Sequence, residues 1–237
     1  MQRTKWILLA TYHSLCYNVS IMIITYHGLE FVKLTVGDTV VAFNPPSKDS
    51  KYKKASFGAD IALVSINHPD FNGTDGLSRG DKKPFIISGP GEYEIKGIFI
   101  KGFPSESSYD GKERINTIYS LSVDNMNICF LGAIGNAVLK SETKEALDGI
   151  DILFVPIAGG GVLSASEGYK LAVSLEPKLI IPIHFDPTSQ GSAGFEKNLK
   201  VFLKEGGSEK TEVLEKLTIR KKDLEGKEGD IAVLAVN

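Results

Sequence analysis

The stretch Ala62-Leu63-Val64-Ser65-Ile66-Asn67-His68-Pro69-Asp70-Phe71-Asn72-Gly73 passes from hydrocarbon into a polar turn. Its first half is the continuous apolar run expected of a strand covered on both faces. Pro69 and Gly73 break regular structure, and the turn they bound carries an imidazole and a carboxyl group two residues apart. Polar groups at the end of a buried strand are held rigidly beside those of neighbouring strands, which is how several donors come to face one point. A second strand end carries such a donor, His184 after Ile181-Pro182-Ile183. A third, Gly132-Ala133-Ile134-Gly135-Asn136 after residues 127–131, carries no strong ligand.

Working outward, residues 21–26 read as a strand ended at Gly28, and residues 31–36 and 39–43 alternate around Gly37-Asp38, a two-residue hairpin signal. Asn44-Pro45-Pro46 ends that hairpin, because proline cannot donate to a ladder. Residues 47–57 read as an exposed Lys- and Ser-rich loop. Strand-like pieces follow at 85–88, 93–95, 98–101, 115–123 and 127–131, separated by Gly-rich turns, with 105–113 as a polar hairpin tip. The second half alternates: a short helix at 141–147, a strand at 152–157, a helix opened by the capping box Ser164-x-x-Glu167, a strand at 179–183, an amphipathic helix at 193–204 with Phe195, Leu199, Phe202 and Leu203 on one side, and strands at 213–220 and 230–236. Hairpins first and strand–helix alternation afterwards predict an α/β (α+β) fold, two mixed sheets face to face with helices outside.

The 237 residues, 42% hydrophobic and 24% charged, form an ordinary globular composition. Lys and Arg number 27 against 29 Asp and Glu, a net charge of -2 that supplies no field for gripping nucleic acid or an anionic membrane. Cys129 sits in an apolar run and reads as a buried hydrophobe; with Cys16 the only other cysteine, nothing calls for an oxidising compartment, and a cytoplasmic location is expected. Residues 1–21 have a short apolar core broken by Thr11, His13 and Ser14 and are read as an extension or start-site artefact ahead of a domain at 22–237.

From Met22 onward the chain resembles the metallo-β-lactamase superfamily, especially its L-ascorbate-6-phosphate-lactonase-like branch. The resemblance rests on Ile24-Thr25-Tyr26-His27-Gly28, on Val41-Ala42-Phe43-Asn44-Pro45 with Asn44 in place of an Asp, on Ser88-Gly89-Pro90-Gly91-Glu92-Tyr93-Glu94, on Phe130-Leu131-Gly132-Ala133 against a His-x-Gly-Asp motif, and on the two late strands ending at Gly159-Gly160-Gly161 and His184. It implies a four-layer αββα sandwich and a zinc-dependent hydrolase of small lactones, esters or phosphate esters. Its metal motif, Thr-His-x-His-x-Asp-His, falls on residues 65–71, where only His68 and Asp70 match.

By that resemblance seven positions hold one or two zinc ions: Ile66, His68, Asp70, Phe71, Phe130, Ala133 and His184. His68, Asp70 and His184 keep a ligand-capable side chain. Ile66, Phe71, Phe130 and Ala133 do not, and the first three are expected to line the pocket with hydrocarbon. Two readings follow. In one, a single zinc is held by His68, Asp70 and His184, with His27 as a further donor, and His68 and Asp70 act in catalysis on a small-molecule substrate. In the other no metal binds, His184 is a satisfied buried histidine bonded to Asp70, and the fold serves as a module binding a small molecule or protein, a second copy included. Gly159, Gly160 and Gly161 are an anion-nest candidate whose plainer reading is a flexible connection.

Overall fold

A computed structural model describes residues 21–185 and 193–237. The N-terminal extension therefore lies, except for Ile21, outside the described residues. In chain order the strands are β1 (Met22–Tyr26), β2 (Val32–Val36), β3 (Thr39–Phe43), β4 (Ile61–Leu63), β5 (Phe85–Ile87), β6 (Gly91–Ile95), β7 (Ile98–Ser107), β8 (Arg114–Val123), β9 (Met126–Phe130), β10 (Ile152–Pro156), β11 (Leu179–Ile183), β12 (Val213–Leu214), β13 (Leu217–Ile219), β14 (Asp230–Ile231) and β15 (Val233–Leu234). The helices are α1 (Ser141–Ala146), α2 (Ala165–Ser174) and α3 (Ala193–Glu205).

These strands make two mixed sheets and a small ribbon. One sheet runs β13-β1-β2-β3-β4-β5, the other β14-β11-β10-β9-β8-β7-β6, and β12 pairs with β15. The β2–β3 register, Val36 opposite Thr39, places Gly37-Asp38 as the turn. Gly37 has φ +57, the left-handed value a tight hairpin needs. Parallel pairing appears where the sequence shows unbroken apolar runs: β3 with β4, β4 with β5, and β9, β10 and β11 in succession.

The alternation that forms the strands also decides what they face. Val41, Phe43, Ile61 and Leu63 point between the sheets into the main core with Ile128, Phe130, Phe154 and Ile181. Ala42 and Ala62, one residue out of step, point the other way and are covered by Phe31, Ala59 and Leu77. That covering is a loop plus a single 3-10 turn at Thr74–Leu77, so the outer layer over the first sheet is thin. On the second sheet α2 packs on α3 and on β10. The Ser164 cap forms as read: its hydroxyl accepts from Glu167 N and the Glu167 carboxylate accepts from Ser164 N. Leu199, Phe202 and Leu203 of α3 are buried; the side chain of Phe195 lies outside the described residues. The arrangement is the αββα-type sandwich that the sequence implied, and among the described residues no helix is long and apolar enough to cross a membrane.

Three local expectations are corrected. Strand β7 continues through Phe103-Pro104 to Ser107, so the hairpin tip is residues 108–113 rather than 105–113. The run at 213–220 is two strands: Val213–Leu214 joins β15, and Leu217–Ile219 adds to β1. The run at 230–236 divides likewise, Asp230–Ile231 pairing with β11 and Val233–Leu234 with β12. Each divided run leaves one sheet and continues elsewhere, which a count of apolar residues does not register.

Ionic clips tie the layers at their edges. Asp60, just before β4, accepts from Lys82 Nζ at 2.7 Å, Lys96 Nζ at 2.6 Å and the Val40 amide at 2.9 Å. Lys96 lies in the β6–β7 turn of the other sheet, so the contact joins the sandwich across one edge. Burial alone would raise the Asp60 pKa, but the bonds from Lys82, Lys96 and Val40 outweigh it and hold the carboxyl at about 2. A depressed carboxyl stabilises the fold above its unfolded pKa and stops doing so as pH falls through its folded pKa. Wild type is therefore expected to lose about 2 kcal/mol between pH 4 and pH 2 from this group alone. In urea titrations across that range, Asp60→Asn should show a shallower fall; an unchanged slope would remove Asp60 from the account.

Candidate functional site

The strand ends do converge. β1 leads into Leu29-Glu30, β3 into Asn44, β4 into residues 64–73, β9 into residues 131–135 and β11 into His184. Leu29, Asn44 and His184 have φ of 53, 45 and 55, left-handed values that side-chain-bearing residues seldom adopt. Such backbone costs on the order of 1–2 kcal/mol per residue and persists only where the surroundings enforce it. Here His184 N donates to Leu29 O at 2.5 Å, and Tyr26 Oη donates to the same carbonyl at 2.7 Å.

His184 is buried, but its partner is Glu30 and not Asp70, which corrects the expected pairing. Nδ1 of His184 lies 2.5 Å from Oε1 of Glu30, a residue with no solvent exposure. Asn44 Nδ2 donates to Glu30 Oε2 at 2.6 Å and to Ser65 Oγ at 2.8 Å, while Ser65 N donates to Asn44 Oδ1 at 2.7 Å. The chain His184–Glu30–Asn44–Ser65 thus links four strand ends, each polar group answering the next as burial requires. An aspartate in place of Asn44 would bring a second carboxyl group against Glu30 with no proton to offer, so the amide suits this partner where an acid would not.

Asp70 belongs to a separate network. Its Oδ1 accepts from Ser50 Oγ at 2.5 Å and its Oδ2 from Tyr109 Oη at 2.8 Å. Burial, reinforced by Asp70, pushes the Tyr109 phenol up, so it is a hydrogen-bond donor at neutral pH. Asp70 N donates to His68 Nδ1 at 3.2 Å, the same nitrogen lies 3.6 Å from Asp70 Oδ2, and Nε2 lies 3.9 Å from Asp110 Oδ2.

The space between the two networks is filled. Leu29, Ile66, Phe71, Ala133 and Val162 form one buried apolar cluster, with Tyr52 and Tyr109 packed against it. The Phe71 ring lies 4.8 Å from that of Tyr109, 5.9 Å from His184 and 6.0 Å from His68. Tyr109 in turn lies 5.0 Å from His68 and 5.6 Å from His184. The two histidines therefore flank the same pair of rings. Phe130 is not part of this filling: its ring faces Phe43 at 4.7 Å and Phe154 at 6.0 Å in the main core, a second correction. Gly132 supports the corner, since a Cβ there would come within 2.6 Å of both Ser65 Oγ and Asn116 Oδ1.

The remaining candidates lie apart. The His27 ring lies tilted against the stacked pair Phe31 and Phe57, at 4.9 and 5.3 Å, with Nε2 3.1 Å from Thr25 Oγ1. Burial, helped by Lys33, lowers its pKa to about 4, so it is neutral at pH 7. In the glycine run, Gly159 N already donates to Leu163 O at 3.0 Å. A Cβ on Gly161 would lie 2.3 Å from Ser108 O, so this run seats the hairpin tip that carries Tyr109.

Glu30, Ser50 and Tyr109 were missed by the sequence reading. Glu30 had a visible signal, a lone acid between Leu29 and Phe31 at a strand start. Among the described residues no group of three or more His, Cys, Asp or Glu side chains is placed to hold a metal ion. With Phe71, Ile66 and their apolar neighbours filling the space and no three donors converging, the described residues do not fit the zinc centre that the resemblance implied.

Comparison with known proteins fixes the family. The profile described as "Beta-lactamase superfamily domain" matches residues 23–184. A UPF0173 metal-dependent hydrolase of Lysinibacillus sphaericus is 26% identical over 196 residues, 70% of this chain and 86% of the relative. One of Natranaerobius thermophilus is 28% identical over 184 residues, 68% of this chain and 81% of the relative. A solved structure from Thermotoga maritima, assigned to the Zn-dependent hydrolases of the metallo-beta-lactamase superfamily, superposes with TM-score 0.71 at 25% identity, covering 90% of this chain and 98% of that one. Relatives named for metal-dependent hydrolysis thus share a fold with a chain whose strand-end pocket is filled by hydrocarbon, and that chain belongs to the beta-lactamase superfamily.

Proposed function

We propose that this chain is a member of the superfamily that has left metal-dependent hydrolysis and keeps the sandwich as a binding module. One observation carries the reading: an apolar plug centred on Phe71 stands between the ligand-capable side chains, and among the described residues no three of them converge. Glu30 holds His184, and Ser50 with Tyr109 holds Asp70. A divalent ion placed there would lack ligands and displace a well-packed phenylalanine, a costly exchange. The competing reading, a metal-dependent hydrolase of small lactones, esters or phosphate esters, is favoured by the names of the relatives.

Metal content decides between them. Protein purified without chelator is expected to contain well under about 0.1 zinc or manganese per chain, and chelation should leave its thermal midpoint unchanged, because no folding free energy comes from a metal. Near-stoichiometric metal that is lost in His68→Ala would overturn this proposal in favour of the hydrolase.

A further inference from the structure

With the strand-end pocket plugged, the accessible features of the surface gain weight. The two most exposed large hydrophobic side chains among the described residues, Val138 at 80% and Ile115 at 71%, lie on the rim of one groove. The groove measures about 310 Å³ and runs between the far half of the β7–β8 hairpin and the segment 136–143, with Pro104 and Leu139 on its walls and Ile118 at its base. Scattered single hydrophobics need no explanation, but two knobs beside one apolar recess do. Glu106 and Lys140 also line this groove, and among the described residues neither makes an ion pair.

The walls are fixed in advance. Gly135 N donates to Glu106 O at 2.8 Å, Leu163 N to Ile134 O at 3.0 Å, and Val138 N to Asn136 Oδ1 at 2.9 Å. A surface held in its bound shape has less ordering to do on association.

We propose that this groove is the contact face of a two-fold homodimer. A patch that joins itself across a two-fold axis must carry both halves of every contact, so that residue i meets residue j and j meets i. This patch does so: each copy offers an apolar knob and an apolar recess, and each offers one unpaired acid and one unpaired base. The axis sets Ile115 against the partner's Val138, and Glu106 against the partner's Lys140, with each contact made twice. A partner of uniform charge would satisfy only one of Glu106 and Lys140. The inference stands independently of whether the strand ends bind metal.

Sedimentation velocity over a concentration series of the full chain tests it. Wild type should dimerise, and Glu106→Lys and Lys140→Glu should each weaken the dimer at least about tenfold, because each places two like-charge pairs in the contact. Combining the two reversals should restore affinity to within about threefold of wild type, since opposite charges meet again. Val138→Asp should leave a monomer with unchanged circular dichroism, the side chain being outside the core. A wild type that stays monomeric at about 100 µM, too weak for a specific interface, overturns the proposal and leaves the groove to a different protein. A dimer indifferent to all four variants overturns it equally, by placing the interface elsewhere.

Discussion

Glu30→Ala is expected to lower the unfolding free energy by about 3–5 kcal/mol, the cost of two buried hydrogen-bonding groups left without a partner plus the cavity opened. Glu30 has no exposed surface, and its two carboxyl oxygens answer His184 and Asn44. Truncation leaves both donors buried without an acceptor and opens a void among four strand ends. Urea unfolding should show an earlier midpoint with the slope preserved, as fits a loss of stability without a change in exposed area. Glu30→Gln should cost less, because its amide oxygen still accepts from one neighbour. Asn44→Asp should cost nearly as much as the alanine, by setting acid against acid, and Glu30→Gln should rescue it in part. If Glu30→Ala unfolds at the wild-type urea concentration, the pair is not what holds this corner.

Phe71→Ala is expected to cost a comparable amount, about 3–5 kcal/mol, through lost transfer energy plus the cavity left behind. The ring is fully buried and touches three other rings: Tyr109, His184 and His68. Phe71→Leu should recover much of the loss, since it keeps the volume and gives up only the ring contacts. Phe71→His, which restores the residue type of the family motif, should behave like the alanine variant and gain no metal. Its imidazole would be set into the apolar cluster of Leu29, Ile66, Ala133 and Val162, where a divalent ion is costly to house. A Phe71→His protein that binds zinc near one per chain with stability intact would show that the plug alone keeps metal out.

Much of the fold was legible because β-structure writes itself into alternation and apolar runs. The hairpin at Gly37-Asp38, the strands up to His68 and His184, and the capped helix at Ser164 all carry local signals that burial merely confirms. The convergence of His68 and His184 on one pocket was legible for the same reason, since strand ends of one sandwich edge must gather. Other features were not. Phe130 sits in a strand buried on both faces, so no alternation tells which side its ring takes. Glu30 became meaningful only when the fold brought it within reach of a histidine 154 positions away. Tyr109 looked like part of a polar tip until that tip closed over Phe71. Local chemistry announces elements; which side chain answers which across the chain is a property of the folded whole.

The divided C-terminal strands have a kinetic meaning. β13 completes the edge beside β1, β14 completes the edge beside β11, and Asn237 N donates to Tyr26 O at 2.9 Å. β1 thus finds its neighbour β13 only after the residues between them have been synthesised. During translation both sheets would emerge with a raw margin of unpaired amides and carbonyls, the condition in which nascent chains stick to one another. Closing contacts so distant in sequence is slow, so pairing of β13 with β1 and of β14 with β11 is expected to come late in folding.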